Sequence, residues 1–373
     1  MKSKLAALCT YMKGKVAVDT LDEYTYISTE NMIPNKGGIE RASSLPSTQY
    51  TQAFDLGDVL VSNIRPYFKK IWMAEYSGGC SNDVLVFRAS KGCDPTFLYY
   101  VLANNSFFDY ATATSKGTKM PRGDKTAIMQ YEVPAFDIAT QQRIGRLLKG
   151  IDTRIVTNKK INDNLQKQAA ALFANFYDQA ETEVGFTEMI QILGGGTPKT
   201  GESSYWNGDI PFFTPKDVGF PYTLTTEKTI TEEGLAHCNS RLYPINTVFV
   251  TARGTVGKVG LPGVPMAMNQ SCYALVGKDT HQLLVYFYTL KAVDRLKHKA
   301  SGAVFDAITT RDFEAENIMK LSDDDTKAFL DVAEPIYQAV LNNSIENLRL
   351  AELRDSLLPK LMNGEIDVSG IQL

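Results

Sequence analysis

The segment IDTRIVTNKKINDNL at residues 151–165 has a counterpart in IYQAVLNNSIENLRL at residues 336–350. Apolar residues recur in both at heptad spacing, which predicts long helices that each bury one face. The corresponding positions, each 185 residues apart, are Ile151 and Ile336, Leu165 and Leu350, and Leu172 and Leu357. Because one constant shift relates the two segments, the chain contains an internal duplication.

Polar residues interrupt the two apolar faces at equivalent positions. Asn158 and Asn162 lie in the first face, and the same shift places Asn343 and Asn347 in the second. An asparagine facing leucine leaves a buried amide unpaired, whereas asparagine facing asparagine does not. The pattern therefore predicts that the two helices pair with one another, antiparallel, near these residues. The alternative is two separate surface helices whose asparagines are solvated.

Two potential helix breakers also correspond at this shift. Gly150 and Pro335 each predict the interruption or the start of a helix. The remaining uninterrupted segment, Ile151 to Tyr177, would be about 40 Å long at about 1.5 Å per residue.

Looser repeats precede each helix. In order, YISTENM (26–32) corresponds to FFTPKDV (212–218), DVLVS (58–62) to TVFVT (247–251), and SND (81–83) to MNQ (268–270). Short apolar runs that end in polar, turn-rich segments predict strands and loops.

We therefore expect an α+β protein with two α/β domains in a pseudo-twofold arrangement, linked by two long antiparallel helices that form a coiled coil. The expected domains span residues 1–140 and 183–322, and the expected helical spacers span 141–182 and 323–373. The last residues, from Asn363, should form a frayed tail.

Composition narrows the class of protein. With 373 residues, 44% of them hydrophobic, and a net charge of −3, the chain has the length of two ordinary domains and no general excess of basic residues. Five cysteines without a Cys-x-x-Cys pair and three histidines without ligand spacing predict reduced thiols, no metal site and a cytoplasmic location. We expect neither export nor a membrane span, because Leu8 stands where a lipoprotein signal requires a small residue and no apolar run is long enough.

The sequence lacks the elements that enzymes acting on DNA require. It has no Asn/Asp-Pro-Pro-aromatic tetrapeptide, and the triglycine 194–196 runs into Thr197-Pro198 instead of a phosphate-binding loop. The run Asp323-Asp324-Asp325 precedes a helix, where carboxylates cap free amides, a role we favour over magnesium binding. We predict a protein that is not an enzyme and binds no cofactor of its own.

Several motifs resemble those of type I restriction-modification specificity subunits. LGGGTPKT (193–200) and YWNGDIPFFTPKDV (205–218) resemble the opening of a target recognition domain in that family. VTARGTVGK (250–258) and AMNQ (267–270) resemble its next two signatures, and LAELRDSLLPKLMNGE (350–365) its closing helix.

The first half departs further from the family pattern. MKGK (12–15) stands in place of the Gly-Thr-Pro turn, IRPYFKK (64–70) in place of the Arg-Gly-x-x-Gly-Lys loop, and Asn82-Asp83 in place of Asn-Gln. The departures bear on individual base contacts more than on the identity of the domain.

The resemblance implies that each domain reads one part of a split site in double-stranded DNA. It further implies that the helices act as a ruler and dock two methyltransferase subunits, and that the assembly includes motor-nuclease subunits. S-adenosylmethionine, ATP and magnesium would then be bound by those partners.

Loops beside the predicted strands carry basic, amide and hydroxyl side chains suited to phosphates and base edges. The candidate DNA contacts of the first domain are Lys13, Lys15, Ser28, Asn31, Asn63, Arg65, Tyr67, Lys69, Lys70, Asn82, Lys116 and Lys119. Those of the second domain are Lys199, Thr214, Lys216, Arg253, Thr255, Lys258, Asn269 and Gln270. Arg65 and Arg253 are the best base-reading candidates, because a guanidinium bonds guanine with two donors. The alternative for any of them, above all Asn82 and Asn269, is a structural amide that ties a loop to a strand.

Two other functions remain open at this point. One is a coiled-coil interaction module whose domains bind protein without DNA specificity. The other is a free-standing nuclease or methyltransferase, which would act alone with magnesium or a methyl donor.

Overall fold

The computed structural model describes residues 2–219, 221–299 and 306–370. The chain divides into two compact units, of which unit 1 is Met1–Ile155 with Arg349–Leu373 and unit 2 is Val156–Leu348. Both divisions fall inside long helices, so each unit contains a part of both.

Unit 1 is built on two four-stranded sheets and a short two-stranded one. Its strands are β1 (Lys2–Lys4), β2 (Cys9–Tyr11), β3 (Lys15–Ala17), β4 (Tyr26–Ile27), β5 (Tyr50–Phe54), β6 (Val59–Ser62), β7 (Ile71–Met73), β8 (Gly78–Cys80), β9 (Val84–Ala89) and β10 (Glu132–Pro134). The sheet orders are β2-β9-β6-β7, β3-β5-β8-β4 and β1-β10. The strand β6, VLVS, is buried at every position, as its apolar run predicts for a central strand.

Helices cover one side of the unit 1 core. They are α1 (Pro95–Ala103), α2 (Asn105–Ala113), α3 (Lys125–Ile128) and the first part of α4 (Ile138–Gln179). Asp94 caps α1 by accepting a hydrogen bond from the Phe97 amide, and Pro95 at the first helical position suits the start of a helix.

Unit 2 has sheets of five, three and two strands. Its strands are β11 (Thr182–Gly185), β12 (Ile190–Gly194), β13 (Trp206–Phe213), β14 (Tyr222–Thr223), β15 (Lys228–Ile230), β16 (Val248–Thr251), β17 (Val259–Pro262), β18 (Ala267–Met268), β19 (Cys272–Gly277) and β20 (Asn317–Lys320). Its helices are α5 (Phe186–Met189), α6 (Glu232–Ala236), α7 (Gln282–Lys299), α8 (Thr310–Glu314) and the first part of α9 (Asp323–Asn363). The sheet orders are β12-β19-β16-β17-β14, β15-β13-β18 and β11-β20.

The two units repeat one topology. The order β2-β9-β6-β7 in unit 1 recurs as β12-β19-β16-β17 in unit 2, and the two-stranded pair β1-β10 recurs as β11-β20. Each unit also has an equivalent parallel pair, β4 with β8 and β13 with β18. The predicted α+β fold with two mixed domains is therefore confirmed, and the duplication extends to sheet connectivity.

The long helices continue through both predicted breakers. α4 has 42 residues and α9 has 41, and the predicted breakers Gly150 and Pro335 lie inside them. A helix of 42 residues is about 63 Å long at about 1.5 Å per residue, so the expected 40 Å is too short. Pro335 is exposed and the space beside Gly150 is open, so neither disturbs a packed face, and burial of the opposite face keeps the helix intact. Among the described residues, no helix is both long and apolar enough to cross a membrane.

The buried stripe on these helices drifts by one residue from the predicted heptad positions. In unit 2 the pattern predicted that Leu172 and Ile336 are buried. The fully buried residues there are instead the ones that follow them, Phe173 and Tyr337. Leu358 replaces Leu357 in the same way in unit 1. A straight helix has about 3.6 residues per turn, so a strict seven-residue pattern rotates off the contact face as the helix lengthens.

The C-terminal tail is not frayed where the structure describes it. Val368 is buried and Ile366 half-buried in the main hydrophobic core of unit 1, beside Leu361 and Met362. The expectation of fraying from Asn363 onward is wrong through these residues, because two apolar side chains dock after the helix ends.

Candidate nucleic-acid interface

One polar turn occurs at the same place in both units, directly after β4 and β13. In unit 1 the Ser28 amide and hydroxyl both donate to Asn31 Oδ1, at 2.6 and 3.1 Å. In unit 2 the Thr214 amide and hydroxyl donate in the same way to Asp217 Oδ2, at 2.8 and 2.6 Å. Asn31 is buried, and its Nδ2 also donates to two backbone carbonyls, so this candidate DNA contact is a structural amide.

A second turn follows β8 and β18. The Ser81 hydroxyl accepts from the Asp83 amide at 3.3 Å, and Asn269 Oδ1 accepts from the Ser271 amide at 3.0 Å. The Ser81 amide donates to Ile27 and the Asn269 amide to Phe213, at matching points of the parallel strand pairs. Ser81 is thus the counterpart of Asn269, and the sequence alignment of Asn82 with Asn269 is wrong by one residue. The alignment paired the two asparagines because they are the same residue type, but the turn is closed equally by a serine hydroxyl oxygen or an asparagine amide oxygen.

The loop that follows β6 in unit 1 and β16 in unit 2 is closed by the same backbone hydrogen bond in both units. The Ser62 amide donates to the Lys70 carbonyl at 3.1 Å, and the Thr251 amide donates to the Lys258 carbonyl at 2.9 Å. Lys70 and Lys258 therefore occupy equivalent ends of the loop, although the unit 1 loop is one residue longer.

Inside these loops the same two positions adopt left-handed backbone conformations. Unit 2 has Gly254 and Gly257 there, with φ of 84° and 75°. Unit 1 has Arg65 and Lys69, with φ of 50° and 52°, a conformation that non-glycine residues adopt only where their surroundings impose it. Arg65 is thus the counterpart of Gly254, and Arg253 is the counterpart of Ile64. The two arginines leave the backbone at different points of the loop.

Two clefts in unit 1 collect its candidate residues. Cleft A has a volume of about 540 Å³ and includes Ser28, Arg65 and Lys70 among its walls. Cleft B has a volume of about 340 Å³ and includes Lys13, Lys15 and Asn82. Residues 81–83 lie between them, since Ser81 and Asp83 face cleft A and Asn82 faces cleft B.

The positively charged side chains of unit 1 differ in burial and in the hydrogen bonds that they make within the protein. Among the described residues, Arg65 Nε is buried without a hydrogen-bond partner. Lys70 Nζ donates to the Thr29 carbonyl at 2.6 Å, and burial lowers the pKa of its amine. Lys69 Nζ donates to Asn105 Oδ1 at 3.0 Å.

The remaining candidates of unit 1 differ in burial and in pairing. Tyr67 and Lys119 are exposed, whereas Asn63 is buried and its Oδ1 has no partner among the described residues. Lys116 Nζ lies 2.5 Å from Asp124 Oδ2, and this bond lowers the pKa of the Asp124 carboxyl.

In unit 2, four loops meet through backbone and side-chain contacts. The Thr197 hydroxyl donates to Gln270 Oε1, and the Thr255 hydroxyl donates to the Pro215 carbonyl at 3.2 Å. A Cβ on Gly195 would lie 2.1 Å from the Asn269 carbonyl oxygen, so the triglycine allows a backbone approach that no other residue permits. The Ala252 amide donates to the Ser271 carbonyl at 2.8 Å and joins the two pairs of loops, so the loops at 195–199, 214–217, 252–258 and 268–271 form one surface.

The basic candidates of unit 2 stand on this surface and point to solvent. Lys199, Arg253 and Lys258 are exposed. Lys216 is also exposed, and its Nζ lies 4.0 Å from Glu227 Oε2. A weak surface pair of this kind leaves the lysine available to a phosphate.

Sequence reasoning missed Arg122 and Lys125. Arg122 pairs with Asp83 Oδ1 at 3.0 Å, beside cleft A, and its backbone bridges to Ile64 and Lys116. Lys125 contributes to cleft B. The spacing of basic residues at 116, 119, 122 and 125 was a usable signal, but only the fold brings this segment against the loop at 64–70.

The helix-pairing asparagines meet across the two helix segments of unit 2. Asn158 Nδ2 donates to Asn347 Oδ1 at 3.0 Å and to Glu346 Oε2 at 2.8 Å. Asn343 Nδ2 donates to Asn162 Oδ1 at 2.8 Å. Higher numbers on one helix meet lower numbers on the other, so the segments run antiparallel.

Acidic residues and thiols offer no metal site among the described residues, where no group of three His, Cys, Asp or Glu side chains is arranged to hold an ion. Asp323–Asp325 form the first turn of α9, and the Ser322 hydroxyl caps it by accepting from the Asp325 amide at 3.1 Å. All five cysteines are free, and burial raises the pKa of Cys9, Cys80, Cys93 and Cys272 to about 12. Those four thiols remain protonated at neutral pH, when a thiol is a poor nucleophile and metal ligand.

Duplicated α+β domains that present basic and polar loops, with paired long helices, define a class of two-domain recognition proteins. The chain belongs to the family described as the type I restriction modification DNA specificity domain, whose model matches residues 4–167 and 182–320. It is a specificity subunit of a type I restriction-modification system, with two recognition domains.

Individual relatives agree with this assignment. The chain is 24% identical over 431 residues to the type I restriction enzyme HindI specificity subunit of Haemophilus influenzae, covering 91% of this chain and 94% of that protein. It is 32% identical over 124 residues to the MjaIX specificity subunit of Methanocaldococcus jannaschii, covering 32% of this chain and 29% of that one. The crystal structure of a type I S subunit from M. genitalium shares the fold, with a TM-score of 0.62, 14% identity and coverage of 97% and 96% of the two chains.

Proposed function

We propose that this chain reads a bipartite, asymmetric site in double-stranded DNA. Residues 1–140 read one half-site and residues 183–322 read the other. The observation that carries this proposal is the repeated loop frame, in which the same two turns and the same closed loop present different side chains in each unit. Equivalent frames with unequal side chains suit two half-sites of unequal sequence.

The proposed contact set changes from the one expected from sequence. Asn31 leaves it because its amide is buried and fully bonded. Three further candidates are reassigned to a structural role, because their side-chain oxygens make hydrogen bonds within the turns: Ser28, Thr214 and Asn269. Arg122 and Lys125 enter it beside the two clefts. Arg253 and Arg65 remain the proposed base readers, and the exposed lysines are proposed to contact phosphates.

We further propose that the helices dock two methyltransferase subunits and that the assembly binds motor-nuclease subunits. Apolar side chains on α4 and α9 are available for contact with a partner subunit, since Val156, Ile161, Val332 and Leu353 are each at least 41% exposed. The chain itself is proposed to be non-catalytic and cytoplasmic. S-adenosylmethionine, ATP and magnesium would be held by the partner subunits.

Sequencing the methylome of a host that carries this subunit with its partner methyltransferase tests the proposal directly. We expect one bipartite motif with two unlike halves and a fixed spacer, and a mobility shift of the purified complex on that duplex. Absence of any enriched bipartite motif would contradict DNA specificity and favour a protein-interaction module. DNA cleavage or methylation by the chain alone would contradict the non-catalytic role.

A further inference from the structure

The loop between β6 and β7 exposes two adjacent aromatic rings. Tyr67 is 48% exposed and Phe68 is 38% exposed, and their ring centroids lie 4.8 Å apart. Large apolar side chains next to each other on a loop tip add little to folding, because water reaches them in the folded state.

The backbone beneath these rings is held in one shape. A short 3-10 turn, Pro66–Phe68, is flanked by Arg65 and Lys69 in left-handed conformations. The Phe68 and Lys69 carbonyls accept hydrogen bonds from the amides of Asn35 and Lys36, both at 2.8 Å. Two non-glycine residues are thus kept in unfavourable backbone conformations by their surroundings, which presents the rings rigidly.

One of these rings, Phe68, stands at the wall of cleft A among positive charges. Phe68, Arg65 and Lys70 all face the cleft, and Lys70 Nζ lies 6.0 Å from the Phe68 ring centroid. Met120, 51% exposed, adds a further apolar group to the same wall. Aromatic surface bordered by cations is complementary to a partner that is both anionic and aromatic, as nucleic acid is.

Unit 2 lacks this feature at the equivalent position. Between Gly254 and Gly257 its loop carries Thr255 and Val256, and neither is aromatic. The two readers therefore differ in what the tip of this loop presents to DNA.

We propose that Tyr67 and Phe68 form an aromatic wedge that unstacks one base step in the half-site read by unit 1. The inference rests on the proposed function and names how one of its two readers works. Side chains that insert between bases kink and unstack the duplex, and pyrimidine–purine steps yield most readily. Unit 1 would therefore favour a flexible step at a position it reads through deformation, and unit 2 would leave its half-site stacked.

The test places 2-aminopurine, whose fluorescence rises on unstacking, at each purine of the two half-sites except any base that methylome sequencing shows to be methylated. The duplex carries the motif found by methylome sequencing, and the full chain is used with its methyltransferase subunits. We expect a several-fold rise at one step of the half-site read by unit 1 and none in the other half-site. Tyr67→Ala/Phe68→Ala should abolish that rise and should raise the Kd for sites with a flexible step while sparing recognition of the second half-site.

Tyr24→Ala is the matched control, because Tyr24 is a 63% exposed tyrosine of the same unit that borders neither cleft. It should leave the fluorescence unchanged. Specific binding without any unstacking in the unit 1 half-site overturns the wedge and leaves the proposed function standing. Loss of methyltransferase co-purification in the double variant, with unstacking retained, also overturns it and assigns the rings to a protein partner. Absence of specific binding by the unaltered complex overturns the proposed function itself.

Discussion

Arg65 and Arg253 look like the same residue in the two copies of the sequence, yet they occupy different positions of one loop. Arg65 takes the left-handed position held by Gly254 in unit 2, and its Nε is buried. Arg253 stands one position earlier and is exposed. Two residues of the same type in the two units therefore need not make equivalent contacts.

Arg253→Ala should remove discrimination at one base pair of the unit 2 half-site. A bidentate arginine–guanine contact accounts for about 1–3 kcal/mol of discrimination against the wrong base. The measurement is a competition binding assay over all single-base variants of the motif. Arg253→Lys is the matched control, since it keeps the charge but loses the bidentate geometry and should also lose discrimination. Uniform weakening at every position would contradict a base-reading role.

Lysine contacts should behave differently from the arginine. Lys258→Ala is expected to weaken binding equally for all sequences and to reduce the slope of log affinity against log salt by about 0.9, the effect of one phosphate contact. A salt titration of the same complex checks this. A change in sequence preference without a change in slope would refute a phosphate contact.

At the scale of elements, the two long helices are aligned by hydrogen bonds between asparagines. Asn162 is 6% exposed, its Oδ1 accepts from Asn343 Nδ2 at 2.8 Å, and its Nδ2 donates to the Val340 carbonyl at 3.2 Å. Leucine at both positions would pack the helices equally well in several registers, whereas the amide pair is satisfied in one. The asparagines thus exchange some stability for a defined alignment.

Asn343→Leu should destabilise unit 2 by about 1–3 kcal/mol, because it leaves a buried carbonyl oxygen of Asn162 without its donor. Asn162→Leu/Asn343→Leu should recover part of that loss, since no unpaired amide remains. The chain has two tryptophans, Trp72 in unit 1 and Trp206 in unit 2. In a Trp72→Phe background, urea unfolding followed by Trp206 fluorescence reports unit 2 alone.

Asn342→Leu provides the control for this prediction, one residue along the same helix. Asn342 is exposed and bonded only to Gln338 in its own helix among the contacts described, so its replacement should change the free energy of unfolding by less than about 0.5 kcal/mol. Equal losses for Asn342→Leu and Asn343→Leu would show that the buried pair has no special role.

For the whole molecule, the proposal makes helix length the determinant of the spacing between half-sites. Inserting seven residues after Ile155 and seven after Leu348 keeps the heptad faces in phase. The insertion lengthens each helix by about 10.5 Å at about 1.5 Å per residue, which corresponds to roughly three base pairs of 3.4 Å.

Methylome sequencing of the doubly extended variant should therefore return the same two half-sites with a spacer longer by about three base pairs. Insertion into α4 alone is the control, because it shifts the unit 1 segment of α4 against that of α9, where Asp152 pairs with Arg354 at 2.7 Å, and should abolish modification. An unchanged spacer in the doubly extended variant would show that something other than helix length sets the distance.

The sequence alone determined the duplication, the two long helices and the pairing of their asparagines. These features depend on periodicity and on a constant shift, which are properties of the chain read in one dimension. The family motifs of unit 2 could be recognised from the sequence for the same reason. Where the helix faces turn by one residue, at Phe173 and Leu358, the prediction failed because the heptad rule ignores the rotation of a straight helix.

Only the tertiary structure decided the rest. Strand pairing shows that Ser81 is equivalent to Asn269, and backbone angles show that Arg65 is equivalent to Gly254. A comparison of residue types alone reveals neither equivalence. The approach of Arg122 to Asp83 joins segments that are distant in sequence. Long-range contacts of this kind depend on the folded positions of several elements at once, so local pattern defines the scaffold of this protein and tertiary packing defines the surface proposed to meet DNA.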